Sequence, residues 1–308
     1  MKNFINISDH SSSDLRAIID EAKTRKLSRK GFNKSAPDDD KPFEGKSMAM
    51  IFEKPSTRTR MSFDIAAKQL GGSSIILNPD GIHYGKGDET LKDTAKVLTE
   101  YVDIVMLRTS SHKNLEELGK HLDIPIINGL SDKSHPCQII SDILTYEESN
   151  GAIAGKTVSW LGDGDNNMSN SLIEAAGKFK FNLRIGCPKK YAPGKKILGW
   201  AKKNKVNLLI TQKPDEAVKN SDCVMTDKWV SMNDKVNKKT KKKVLKPFQV
   251  NKKLMKKANS NAIFMHCLPV GRGEEVTDEV IDGKQSVVWR QALNRVHAQK
   301  SIIKWCLD

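Results

Sequence analysis

Short apolar runs alternate with segments of helical periodicity along the whole chain. The predicted strands are Ser47–Phe52, Ser73–Leu77, Asp103–Leu107, Ile124–Ile127, Thr157–Leu161, Asn182–Gly186, Val206–Ile210, Asp222–Thr226, Ala262–Met265 and Ser286–Val288. The predicted helices cover about residues 57–70, 90–100, 113–121, 168–179, 194–204 and 249–258, with one more starting at His135 and a last one at about Ala292–Trp305. This alternation is typical of β-α-β units, so we predict an α/β fold with parallel sheets flanked by helices.

The pattern breaks after the helix that begins at His135, near Glu148–Gly151. We therefore predict two domains, residues 1–148 and 149–290, joined by that helix. Residues 291–308 are predicted to form a C-terminal helix that returns to the first domain. A chain of 308 residues is long enough to bury a core in each domain.

Composition removes several classes of protein. No apolar run approaches the roughly 18 residues that a membrane span needs. The N-terminus lacks the apolar stretch of a signal peptide, so we expect a cytoplasmic protein. The five cysteines are scattered without a CxxC pair, which argues against a zinc ribbon and against a disulfide framework. Four of them are expected to fill the core, and Cys267 is considered below.

A net charge of +15 raises the possibility of nucleic-acid binding. The excess is carried mainly by dispersed lysines, and the dense stretch from Lys235 to Lys246 has no interleaved aromatic residues. A solvated loop and helix face explains that stretch better than a nucleic-acid site. Positive charge also helps to attract an anionic substrate.

The segment Phe52–Phe63 predicts a phosphate site. A strand ends at Phe52 and a helix starts near Thr57, with Ser56 placed as its N-cap. The backbone N–H groups of a first helical turn bind phosphate well. The hydroxyls of Ser56, Thr57 and Thr59 and the guanidinium of Arg58 add donors that suit a dianion. An ordinary capped helix with surface arginines is the simpler alternative.

This segment resembles the Ser-Thr-Arg-Thr-Arg phosphate loop of the aspartate and ornithine carbamoyltransferase family. Six further segments resemble the same family in the same order along nearly the whole chain: Met106–Thr109, His135–Gln138, Asp163–Met168, Thr226–Met232, His266–Pro269 and Asn294–Gln299. Each segment alone is a weak signal, but seven in order are hard to obtain by chance.

The resemblance implies a complete site for carbamoyl phosphate. Its residues here would be Ser56, Thr57, Arg58, Thr59, His83, Arg108, His135, Gln138, Cys267, Leu268 and Arg295. Arg58, Arg108, His135 and Cys267 would take part in catalysis, and His83 would reach a neighbouring subunit's site. On position alone, Arg108 is more typical of a surface ion pair, and His135 of a helix start without a catalytic role. Arg60 is expected to brace the loop through an ion pair.

The resemblance also implies a site for the amine acceptor, formed by Asn167, Asp227, Ser231 and Met232. Cys267 favours the ornithine branch, because the aspartate branch has His-Pro-Leu-Pro at this position; a buried core cysteine is the alternative. Asn233 stands where the ornithine branch usually has glycine. The Gly162-Asp163-Gly164 sequence does not predict NAD binding, because Asn167 replaces the third glycine and no acidic residue occurs from 175 to 214.

The family implies transfer of the carbamoyl group of carbamoyl phosphate to the δ-amine of L-ornithine, with no metal and no cofactor, in a homotrimer or a trimer-based oligomer. Aspartate, N-acetylornithine and putrescine are alternative acceptors. A catalytically silent phosphate-binding subunit and a nucleic-acid binder are alternatives of other classes. The sequence does not decide between arginine synthesis and citrulline breakdown.

Overall fold

Two parallel sheets organise the part of the chain that the computed structural model describes, residues 2–78, 89–230 and 237–308. The strands within those residues are β1 Ser47–Phe52, β2 Ser73–Leu77, β3 Ile104–Arg108, β4 Ile126–Leu130, β5 Thr157–Leu161, β6 Asn182–Gly186, β7 Leu208–Thr211, β8 Cys223–Thr226 and β9 Ile263–His266. Nine of the ten predicted strands are therefore confirmed, four of them with the predicted bounds.

Helices connect the strands. Within the same residues they are α1 Ser12–Ser28, α2 Thr57–Gln69, α3 Leu91–Tyr101, α4 His112–His121, α5 Pro136–Asn150, α6 Asn167–Phe179, α7 Lys195–Lys203, α8 Pro214–Val218, α9 Lys238–Leu245, α10 Lys252–Met255, α11 Asp278–Ile281 and α12 Val288–Leu307. The predicted helices did not include α1, α8, α9 or α11, although a helix face was expected within the basic stretch that contains α9. The helix predicted at 249–258 is shorter, because a 3-10 turn at Lys246–Phe248 and an extended residue, Val250, precede α10.

The predicted strand Ser286–Val288 is wrong. Ser286 makes an isolated parallel bridge to Phe264, and α12 already begins at Val288. Three apolar or small residues cannot distinguish a short strand from the first turn of a buried helix.

The chain divides into two compact units. Unit 1 contains the described residues up to Leu144 together with Leu293–Asp308, and unit 2 is Thr145–Ala292. The chain passes from one unit to the other within α5 and again within α12. The last part of α12 thus belongs with the N-terminal residues.

In unit 1 the strand order is β2-β1-β3-β4, and all pairs are parallel. Residues Met48–Phe52 are all buried, as expected for a central strand that is covered on both faces. The order reverses between β1 and β3, so the loops after these two strands leave the sheet in neighbouring positions. Ligands of open parallel sheets bind at such a reversal.

In unit 2 the strand order is β7-β6-β5-β8-β9, again with parallel pairs. Here the reversal lies between β5 and β8. Asn167, at the start of α6, follows β5, and Asp227 follows β8 directly. The fold class expected from the sequence, two parallel sheets flanked by helices, is confirmed. No helix among the described residues is both long and apolar enough to cross a membrane.

A buried cluster of charges fixes α12 within unit 1. The ammonium of Lys300, which is fully buried, lies 2.6 Å from the Asp38 carboxylate. Arg25 and Arg29 bind the same carboxylate at 2.9 and 2.6 Å. Burial alone would raise the pKa of Asp38, but hydrogen bonds from Lys300 and Arg29 outweigh it and hold the pKa below its usual value. Asp38 therefore compensates three cations in the interior.

We expect Asp38→Asn to lower the free energy of unfolding by about 3 kcal/mol, because it leaves buried cations without their carboxylate. Asp40→Asn is the matched control: Asp40 also binds Arg25, but its side chain is 57% exposed. Its loss should cost less than about 1 kcal/mol. Urea unfolding at pH 7 measures both values, and equal losses would contradict this account of the cluster.

Candidate active site

The N-terminus of α2 lies at the end of β1 in unit 1. The side chain of Ser56 caps the helix and accepts a hydrogen bond from the backbone N–H of Thr59 at 3.3 Å. Ser56 was predicted to be this cap. Thr57 is exposed and Arg58 is half-buried, so both are accessible at the first turn. The first turn offers backbone donors and the positive end of a helix to an anion.

Two arginines converge on the buried hydroxyl of Thr59. Arg295, from α12, donates to its Oγ1 at 2.9 Å, and Arg108, at the end of β3, donates to the same atom at 3.3 Å. A hydroxyl oxygen can accept both and still donate its own proton to a phosphate oxygen. Three of the predicted phosphate ligands are thus brought together, although they come from three distant parts of the chain.

Gln138 extends this network. Its Oε1 accepts a hydrogen bond from Arg295 at 2.9 Å, and its Nε2 donates to Asp142 at 2.8 Å. The side-chain amide is therefore held in one orientation, with its oxygen towards the arginines. An amide oxygen has two lone pairs, so it can also accept from the NH2 of a carbamoyl group.

His135 lies just before α5 and is buried. Burial, and then the charges of Arg295 and Arg108, hold the pKa of its imidazole well below the usual value. The imidazole is therefore neutral at physiological pH. A neutral imidazole can donate an N–H hydrogen bond to a carbonyl oxygen without adding a further buried positive charge.

Arg60 braces the loop through an aromatic ring and a side-chain amide. Its guanidinium lies 4.6 Å from the ring centroid of Phe52 and donates to Asn78. Among the described residues, the side chains that the Arg60 guanidinium contacts are an amide and an aromatic ring, and neither can form an ion pair. Glu53 braces the neighbouring turn by accepting from the hydroxyl of Thr109 at 2.6 Å. His83 lies outside the described residues.

The first predicted acceptor residue in unit 2 lies where the loop after β5 leads into α6. Asn166 caps the helix, accepting from the backbone N–H of Ser169 at 2.9 Å, while the Ser169 hydroxyl accepts from the N–H of Asn166 at 3.1 Å. This reciprocal capping sets Asn167 as the first residue of α6. Asn167 is half-buried.

Asp227 and Cys267 meet beside the ends of β8 and β9. The Cys267 thiol donates to the Asp227 carboxylate at 3.1 Å. The imidazole of the next residue back, His266, interacts with Glu275 at 3.2 Å through Nε2 and accepts from the backbone N–H of Leu268 through Nδ1 at 2.9 Å. The structure thus brings two predicted site residues together. Ser231, Met232 and Asn233 lie outside the described residues.

The same place contains the only group of possible metal ligands among the described residues, in which side-chain atoms of Asp227, His266 and Cys267 lie within 4.8 Å of one another. Both ring nitrogens of His266 already have hydrogen-bond partners, so the group is better described as a hydrogen-bonded cluster. Leu268 has a positive φ of 57°, which is unusual for leucine and costs of order 1 kcal/mol. Strained backbone of this kind is common at ligand sites.

The basic stretch was predicted to be solvated, and this prediction is wrong for one of its lysines. Lys241 of α9 is buried, and its ammonium lies 2.6 Å from the Asp163 carboxylate. The other four cysteines, Cys137, Cys187, Cys223 and Cys306, are buried, as predicted. Burial raises the pKa of Cys137 to about 12, so this thiol is chemically inert at neutral pH.

Two models of protein-domain families match the chain, one in its first half and one in its second half. Residues 2–148 match the model of the carbamoyl-phosphate-binding domain of aspartate/ornithine carbamoyltransferases, and residues 154–306 match the model of their aspartate/ornithine-binding domain. The chain belongs to the aspartate/ornithine carbamoyltransferase family.

Relatives in this family are similar to the chain over its full length. An ornithine carbamoyltransferase of Brucella ovis is 49% identical over 308 residues, which are 100% of this chain and 96% of the relative. One of Rhizobium meliloti is 49% identical over 99% of this chain and 98% of the relative. The solved structure of an ornithine carbamoyltransferase from Pyrococcus furiosus has a TM-score of 0.91 at 42% identity and covers 98% of this chain and 96% of its own.

The sequence did not single out several residues that organise the site. Asp142 orients Gln138, Glu53 braces the turn after β3, and Lys241 binds Asp163. Asp142 lies four residues after Gln138 on one helix, a spacing that allows side chains to meet and that could have identified it. The partners of Glu53 and Lys241 are distant along the chain, and no local pattern indicates them.

We expect the carbon signals of His135 in protein labelled with 13C-histidine to stay constant from pH 8 to pH 5.5, because burial and two arginines disfavour the imidazolium. His135→Asn assigns the signal. In urea the same signal should titrate near about 6.5. Since only the unfolded chain then takes the proton, this group lowers folding stability as the pH falls below that value. A midpoint between pH 6 and 7 in the folded protein would contradict the assignment.

Proposed function

We propose that this protein transfers the carbamoyl group of carbamoyl phosphate to the δ-amine of L-ornithine, giving L-citrulline and phosphate. The observation that carries the proposal is the convergence of Arg108 and Arg295 on Thr59 at the N-terminus of α2. Guanidinium groups and helix N-termini are both strong phosphate-binding elements, and here they occur together. Family membership supplies the reaction class that such a site serves.

The donor would bind with its phosphate on the first turn of α2. Backbone N–H groups, the hydroxyls of Ser56, Thr57 and Thr59, and the guanidinium of Arg58 would receive the phosphate oxygens. Arg108 and Arg295 add two positive charges. These cations stabilise the leaving phosphate more than the bound substrate, because negative charge on the phosphate increases as the C–O bond breaks.

The reaction itself is attack by the uncharged amine on the carbamoyl carbon. The new C–N bond forms a tetrahedral intermediate, and the neutral imidazole of His135 donates to its oxyanion. The carbon–oxygen bond to phosphate then breaks, and the departing phosphate takes the proton that the amine loses. A free aliphatic amine titrates near about 10.4, so the site must select the small uncharged fraction or lower the amine's pKa. No covalent bond between substrate and enzyme is required.

The acceptor would bind through residues of unit 2. We propose that Asn167, Asp227, Ser231 and Met232 hold the α-amino and α-carboxylate groups of ornithine. The thiol of Cys267 would lie beside the side-chain amine, and the backbone carbonyls of Cys267 and Leu268 would orient the carbamoyl NH2. The contact between Cys267 and Asp227 supports this assignment, because it fixes the carboxylate that would receive the α-amino group.

We also propose a trimer-based assembly. Strand β2 is an edge of its sheet, and Ile75 and Ile76 on it are 49% and 41% exposed. Met61, on α2, is 63% exposed. Exposed apolar residues on an edge strand are typical of surfaces that other chains cover. His83 would reach a neighbouring subunit's carbamoyl phosphate. The molar mass of the protein in solution tests the proposed assembly. The cytoplasmic location stays a prediction.

We expect Arg58→Ala to raise the KM for carbamoyl phosphate at least about tenfold, since a hydrogen bond to a charged group contributes about 1.5 kcal/mol or more. Lys68→Ala is the control, because Lys68 is an exposed cation in the last turn of the same helix. Steady-state assays of phosphate release measure both variants. Unchanged turnover and unchanged KM in Arg58→Ala would contradict the proposed donor site.

Carbamoyl phosphate should release phosphate rapidly with ornithine and at background rates with aspartate, N-acetylornithine or putrescine. Aspartate lacks a side-chain amine, and each of the other two lacks a free group that the proposed acceptor residues would bind. The assay uses each amine separately at the same concentration, with carbamoyl phosphate alone as the blank. Product from another amine and none from ornithine would overturn the acceptor assignment, and no product from any amine would favour a catalytically silent protein.

A further inference from the structure

Lys241 is unusual among the lysines of α9, because it is buried although its neighbour Lys243 is exposed. Its side chain is 4% exposed, and its ammonium lies 2.6 Å from the Asp163 carboxylate, which is 8% exposed. The ammonium also lies 5.3 Å from the ring centroid of Tyr191. Replacing a buried ion pair by apolar residues is often neutral or stabilising. Stability alone therefore does not explain why this position carries a lysine.

Asp163 organises the loop between β5 and α6. Its Oδ1 accepts a hydrogen bond from the backbone N–H of Asp165 at 3.0 Å. Its backbone carbonyl accepts from the indole of Trp160 at 2.8 Å and from the side chain of Asn166 at 3.0 Å. Lys241 binds the other carboxylate oxygen, Oδ2. Lys241 thus binds Asp163, and the other hydrogen bonds of Asp163 stabilise the turn before Asn167.

The same face of α9 also contacts the segment after Asp227. Leu245, one helical turn after Lys241, is buried in a cluster with Tyr191, Trp229 and Val230. Trp229 and Val230 follow Asp227 almost directly in the chain. One helix face therefore packs against the loop of Asn167 through an ion pair and against the segment of Asp227 through apolar contacts.

Tyr191 connects these two contacts. Its carbonyl oxygen accepts from the backbone N–H of Gly164, the residue next to Asp163, at 2.8 Å. A side chain at position 164 would collide with that carbonyl, because a Cβ there would lie 2.8 Å from the oxygen. The loop and the Tyr191 cluster are therefore linked by a backbone hydrogen bond and a close backbone contact.

We propose that Lys241 is a positioning residue for the acceptor substrate, which sets Asn167 relative to Asp227 through its ion pair with Asp163. The inference rests on the proposed function, in which those two residues hold the amino-acid end of ornithine. Lys241 does not contact the substrate. The ion pair of Lys241 with Asp163 holds the loop before α6 in place, and this loop determines the position of the Asn167 side chain. Small displacements of such groups reduce affinity strongly, because hydrogen bonds depend on distance and angle.

Two variants test the proposal. Lys241→Met removes the ammonium and leaves the Asp163 carboxylate buried without it. The double variant Asp163→Asn with Lys241→Met replaces the pair by neutral side chains, so no buried charge prevents folding. We expect both to raise the KM for ornithine about tenfold or more, while the KM for carbamoyl phosphate changes less than about twofold. Lys243→Met, on the exposed face of α9, is the matched control and should behave as wild type.

The contrast between the two substrates distinguishes positioning from a general structural role. A double variant with wild-type KM for ornithine would overturn the proposal, and so would equal effects on both KM values. Thermal unfolding of each variant verifies that the measured protein is folded. If the wild-type protein itself does not use ornithine, the proposed function fails. If the wild type uses ornithine and the variants match it, only the role of Lys241 fails.

Discussion

The ion pair between Lys300 and Asp38 is the interaction on which the candidate donor site depends. An unpaired charge in the interior is strongly destabilising, so the last helix can dock in unit 1 only where its lysine meets that carboxylate. This requirement fixes both the rotation and the axial position of the helix. Arg295 lies five residues earlier on the same helix and is thereby held against Thr59 and Gln138. A residue near the end of the chain can therefore complete a phosphate site whose other members come from its first half.

The cations gathered in this way serve two purposes. The charges of Arg108 and Arg295 are suited to phosphate, and together with burial they keep the imidazole of His135 neutral. An imidazolium there would add another buried positive charge and would bind phosphate in competition with the arginines. A neutral imidazole instead offers one directed N–H group. The two arginines thus attract the phosphate of the donor and also keep the imidazole of His135 neutral. A neutral imidazole is the form needed beside the carbamoyl oxygen.

Local pattern predicted the strands well, because apolar runs bounded by polar residues mark buried parallel strands clearly. It failed at Ser286, where too few residues were available. It also missed α1, although Ser11 caps this helix and its buried residues Leu15, Ile18, Ile19 and Ala22 have helical spacing. Motifs at strand ends predicted side chains that the structure brings together, such as Thr59, Arg108 and Arg295. They could not predict the pairs that orient those side chains. Lys241 looks like its solvated neighbours in sequence, and only the folded chain brings it to Asp163.

The two units share one kind of interaction, a buried ion pair close to a candidate ligand residue. In each, a buried lysine binds a buried aspartate, Lys300 with Asp38 and Lys241 with Asp163, and a candidate ligand residue lies within a few positions of the pair. Apolar packing would hold the elements together at least as well, since burying two charges costs much of the free energy that their attraction supplies. Apolar contacts, however, tolerate sliding and rotation, whereas an ion pair with hydrogen bonds has one geometry. Its contribution in both units is therefore orientation, which is the property that a site for two small polar substrates requires.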